Sequence, residues 1–104
     1  MELPISVDRD RLAAWYRRWQ VSGLAVFGSA LRSDFGPSSD VDLLVTFEPN
    51  ARWSLIDHER MRQEVTDIIG RRVDLVSRRG LERSANWIRR HAILATARPL
   101  DVPR

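Results

Sequence analysis

Asp40-Val41-Asp42-Leu43-Leu44-Val45 sets two carboxylates one residue apart at the head of an uninterrupted apolar run. Side chains alternate along a β-strand, so both aspartates share a face while the apolar body seeks burial. The segment therefore reads as a buried strand with charge at one end. Two hard oxygen donors side by side suit a divalent cation, magnesium above all, which keeps several waters and needs only a few carboxylates.

Upstream, Leu24-Ala25-Val26-Phe27 is a short apolar run that reads as a second buried strand. It stops at Gly28-Ser29, and a short helix-compatible stretch follows from Ala30 to about Asp34. A strand, a glycine and a helix start form a phosphate cradle. Gly28 lets backbone approach a ligand closely, and Ser29 with the next free N–H groups offers donors to an anion. Arg32 lies one turn past Ser29 and can face the same polyphosphate. The turn formers Phe35-Gly36-Pro37-Ser38-Ser39 should return the Asp40/Asp42 strand beside the strand ending at Gly28. A third acid is expected from Arg72-Val73-Asp74-Leu75-Val76, where alternation points Asp74 away from the face that buries Val73 and Leu75. If that strand is a neighbour, three carboxylates converge. Two divalent ions roughly 3.5–4 Å apart, bridged by such carboxylates, neutralise a triphosphate and clamp its leaving oxygens. The chemistry that this set serves is phosphoryl or nucleotidyl transfer.

The rest of the chain alternates between helix and strand patterns. Asp8 to about Gln20 reads as a helix with Leu12, Trp15, Tyr16 and Trp19 on one face, a stripe expected to be core. Ser54 to about Ile69 reads as a helix opened by a Ser54/Asp57 capping box and closed by Gly70. The third strand spans about Arg72 to Ser77, and a last helix about Ser84 to Ala97, stopped by Pro99. The expected fold is one α+β domain over residues 1–104, a small mixed sheet flanked by helices. His58 and His91 fall within helices without metal-ligand companions, so both are expected to be boundary residues. Trp53 and Trp87 are read as packing or interface residues, Trp87 beside Arg89 and Arg90 as part of a partner-binding patch.

The motifs Gly28-Ser29-x-x-Arg32, Ser39-Asp40-x-Asp42-Leu43-Leu44-Val45 and Val73-Asp74-Leu75-Val76, in that order, resemble the DNA polymerase β superfamily of nucleotidyltransferases, specifically its minimal nucleotidyltransferase (MNT) branch. The resemblance covers about residues 10 to 97. Ser33 stands where relatives frequently carry a glycine. The resemblance implies a polymerase β-like palm fold. It implies that Gly28, Ser29, Arg32 and Ser39 bind the nucleotide, that Asp40, Asp42 and Asp74 hold two Mg2+ ions, and that Asp74 activates the incoming hydroxyl. It further implies transfer of AMP from ATP to a hydroxyl, tyrosine foremost, of a small helical HEPN partner toxin, with this chain as the antitoxin.

Composition narrows the alternatives. At 104 residues there is room for one core and no separate acceptor domain, which fits an acceptor brought by a partner protein. Without cysteine, neither disulfides nor thiolate metal sites are available. No apolar run approaches membrane-spanning length and the N-terminus lacks a secretory pattern, so the cytoplasm is expected. All 17 basic residues are arginine. Residues 1–70 carry 8 of them against 11 acids, whereas residues 71–104 carry 9 against 3, so the last third is a basic surface. A second reading is a binding module that neutralises its partner by complex formation, through this basic third and its aromatics. A nucleic-acid enzyme is the least favoured class, since nothing in so short a chain grips a template.

Overall fold

The computed structural model describes residues 8–28 and 40–100. The first element, α1 (Arg9–Arg18), is capped by the Asp8 side chain, which accepts from the Arg11 N–H, with Arg17 and Arg18 in the last turn opposing the helix dipole. Strand β1 (Val21–Phe27) follows, then β2 (Val41–Phe47), α2 (Leu55–Ile69), β3 (Val73–Ser77), α3 (Arg78–Glu82), α4 (Trp87–Thr96) and a two-residue β4 (Arg98–Pro99). The expected capping box is present: the Ser54 hydroxyl accepts from the Asp57 N–H, and the Asp57 carboxylate accepts from the Ser54 N–H. Gly70 ends α2 in the left-handed region at φ 78°.

The four strands form one mixed sheet in the order β3-β2-β1-β4, antiparallel at β2/β1 and β1/β4 and parallel at β2/β3. The parallel pair requires a crossover, and α2 supplies it. The larger core fills one face. Leu24, Val26, Val41, Leu43, Val45, Val73 and Leu75 meet Leu12, Trp15, Tyr16 and Trp19 of the α1 segment and Met61, Val65 and Ile69 of α2. The tryptophans also bond the layer together. Trp15 Nε1 donates to the Met61 carbonyl at 3.1 Å, Trp19 Nε1 to Glu64 at 2.9 Å and Trp53 Nε1 to the Trp19 carbonyl at 3.1 Å. Each indole thus buries area without leaving its N–H unpaired.

The opposite face carries a smaller cluster, Phe27 and Leu44 of the sheet against Leu81 of α3 and Ile93 of α4. Two elements of this layer differ from the sequence reading. The last helix begins at Trp87, where Asn86 accepts from the Arg89 N–H, and the turn before it is the separate α3, capped by Ser77. Arg98 and Pro99 pair with Val26 and Ala25 as an added edge strand. Proline is tolerated there because an edge strand can spare its N–H. Among the described residues, no helix is long and apolar enough to cross a membrane.

Candidate active site

Alternation in β2 buries Val41, Leu43 and Val45 on the α1/α2 side and turns Asp42 to the other. In β3, Val73 and Leu75 are buried and Asp74 is exposed, as the sequence pattern required. The parallel register then sets Asp42 directly beside Asp74. Asp40 lies just ahead of β2, exposed, rather than within the strand. The structure thus pairs Asp42 with Asp74. Among the described residues, no group of three or more His, Cys, Asp or Glu side chains is gathered tightly enough to hold a metal ion. Asp42 and Asp74 are the pair that could share a hard divalent cation, since each offers acceptor oxygens on the same end of the same sheet face.

On the other flank of Asp42, the antiparallel partner is Phe27, and Gly28 follows it. Gly28 has φ 69°, and a Cβ there would stand 2.3 Å from Asp42 Oδ2. Both facts demand glycine: the left-handed backbone and the space that the carboxylate takes. The cradle residue and the first carboxylate are therefore in contact, as the turn-rich connection implied. Ser29, Arg32 and Ser39, the other expected nucleotide contacts, lie outside the described residues, as does the helix-compatible stretch from residue 30 to 34.

Arg62 of α2 stands within electrostatic reach of Asp74. Arg62 donates to Glu59 through Nε and a terminal nitrogen, and this ion pair, with the nearby Asp74 charge, holds its guanidinium more firmly protonated than usual. The same contact, with Arg62 as its main donor, lowers the Glu59 carboxyl below its ordinary range. Sequence reasoning passed over Arg62, because only the docking of α2 beside the β3 edge brings it toward Asp74. His58 is a satisfied boundary residue: its Nε2 is 2.8 Å from the Leu75 carbonyl, which can only accept, so Nε2 carries the proton. Arg79 is likewise structural, donating to the carbonyls of Glu48, Pro49 and Ala51 and fixing the turn after β2. Two clefts of about 630 and 710 Å³ lie away from the carboxylates.

A family profile described as a nucleotidyltransferase domain matches residues 12–96, a span that takes in Gly28, Asp40, Asp42 and Asp74. The chain belongs to the nucleotidyltransferase domain family. A solved structure assigned as a minimal nucleotidyltransferase is 36% identical, with a TM-score of 0.65 and 88% of each chain covered. This nucleotidyltransferase domain is also 28% identical over 64 residues to a Methanocaldococcus jannaschii protein whose name assigns it as a protein adenylyltransferase. That match spans 62% of this chain and 64% of the relative. A complex of a tri-AMPylated Shewanella oneidensis HEPN toxin with an MNT antitoxin shares the fold at a TM-score of 0.60 and 18% identity, covering 91% of this chain and 70% of that one.

Proposed function

We propose that this nucleotidyltransferase domain moves AMP from ATP onto a hydroxyl of a HEPN-type partner protein, tyrosine foremost, and so acts as the antitoxin of a pair. The observation that carries the reading is the Asp42/Asp74 register, two carboxylates side by side on parallel strands with Gly28 packed against one of them. In the transfer, the acceptor oxygen forms a bond to the α-phosphorus, the bond from that phosphorus to the pyrophosphate oxygen breaks, and the hydroxyl proton passes to a base. Asp74 is the more exposed of the pair and takes that role; Asp42 lies against Gly28, where it can orient the polyphosphate end of the site. Asp42 and Asp74 would hold Mg2+, with Asp40 just ahead of β2 as a further donor, and the ion when bound would neutralise charge on the phosphates. The names of the relatives, a protein adenylyltransferase and an antitoxin beside an AMPylated toxin, support a protein acceptor over a nucleic acid.

The test is incubation of the purified chain with ATP and Mg2+, with and without the product of the adjacent gene, scored by intact mass of both. One or more AMP units on the partner, lost with Asp42→Asn, is the expected result. An unmodified partner that still co-purifies as a tight complex would instead favour neutralisation by binding alone.

A further inference from the structure

Helix α4 is apolar on two sides, and the fold uses only one of them. Ile93 and Ala97 face the sheet, packed with Phe27, Leu44 and Leu81. On the outer side, Trp87, Ile88 and Leu94 are 64%, 65% and 38% exposed. With His91 they follow the i, i+1, i+4, i+7 spacing that gathers side chains onto one stripe. A shallow groove lined by Trp87, Arg90, His91, Leu94 and Ala95 runs along it. A helix apolar on opposite sides is ordinarily covered on both.

Charge identifies what covers it. From residue 78 to 98 the chain has six arginines and one acid, Glu82. Arg83, ahead of α4, and Arg89, within it, are exposed. Arg90 is steadied at the stripe's margin by the Glu82 and Ser84 carbonyls. Pairing the stripe with its copy in a second molecule would set these arginines against one another. A partner with acidic side chains around an apolar centre meets no such repulsion and gains steering. Tryptophan and arginine are also the residues that most often anchor protein interfaces.

Position links the stripe to the carboxylates. The cluster under α4 lies on the sheet face that Asp42 and Asp74 share. At its C-terminal end Arg98 pairs with Val26, whose neighbour Phe27 pairs with Asp42. The helix therefore runs along the carboxylate face and ends at the carboxylate end of the sheet.

We propose that the outer face of α4, centred on Trp87, His91 and Leu94 with Arg90 at its margin, docks the acceptor protein through an apolar patch with an acidic rim. This assignment rests on the proposed transfer only for the identity of the visitor. The experiment measures binding separately from catalysis, using the Asp42→Asn chain titrated with the product of the adjacent gene by calorimetry. Adding Trp87→Ser with Leu94→Ser should weaken Kd at least tenfold, and Arg89→Glu should weaken it and flatten its dependence on salt. Because these side chains are exposed, circular dichroism and Tm should stay near the parent values. A Kd that does not move with any of these variants overturns the docking assignment even where AMP transfer is observed. Absence of a complex in the parent chain overturns it too, as does a Trp87-dependent homodimer in sedimentation or Trp87-dependent binding to phosphatidylserine vesicles. A complex that needs Trp87 and Leu94 while the wild-type chain transfers no AMP leaves the docking surface standing and removes the enzymatic reading.

Discussion

Gly28 and Asp42 form the tightest constraint at the proposed site. An alanine at position 28 would need both a left-handed backbone, at about 1–2 kcal/mol, and a displaced carboxylate. Gly28→Ala is therefore expected to lower AMP transfer at least tenfold while reducing Tm only modestly; equal activity with an unshifted Tm would show that the contact does not matter. Asp74 leads to a different expectation. Its side chain is exposed and leaves no buried partner behind, so Asp74→Asn should keep the fold and lose about 10²–10⁴-fold in transfer rate, the usual contribution of a positioned base. A stability loss without a rate loss would reassign it as structural. The face that Asp74 occupies was legible from Val73 and Leu75 on either side of it. The closeness of Gly28 to Asp42 was legible only as a turn-rich connection, since the lack of room for a Cβ at Gly28 depends on the register of two strands.

At the scale of elements, α2 matters most, because it is the crossover that makes β2 and β3 parallel and so aligns the two carboxylates. Its first turn is held by the capping box, and the Ser54 backbone N–H, followed by the Ser54 hydroxyl, keeps the Asp57 carboxyl below its ordinary range. A depressed folded value means that the cap contributes fully above the unfolded aspartate pKa, about 3.9, and is lost as pH falls through the folded one. Thermal melts should therefore show acid destabilisation below about pH 4, and Asp57→Asn should shrink that slope while lowering Tm at neutral pH. A melt series indistinguishable from the parent would remove the cap from the account. The box and its closing Gly70 were readable from the sequence because caps are local. Helix α3 and strand β4 were not, since five residues and two residues carry too little periodicity to announce themselves.

The whole molecule is a sheet with two unequal layers: a deep core against α1 and α2 and a thin one against α3 and α4. Leu43 is fully buried in the deep layer, and Leu43→Ala should destabilise by about 2–5 kcal/mol, seen as a Tm lower by about 10 °C or more. A smaller change would mean that the core closes around the lost side chain. The thin layer leaves the outer side of α4 uncovered, which is where a partner adds the missing cover. By itself the sequence determined the local matters: the longer strands and helices, the core stripe of α1, the caps of α2, the face on which Asp74 stands and the basic character of the last third. These follow from periodicity and composition over a few residues. Only the tertiary structure decided that Asp42 meets Asp74, that Asp40 stands outside the strand, that Arg62 comes within electrostatic reach of Asp74 and that Trp87 remains exposed. Those facts depend on strand order, register and the docking of helices, which are fixed by how two apolar faces of one sheet are covered at once and not by any single stretch of chain.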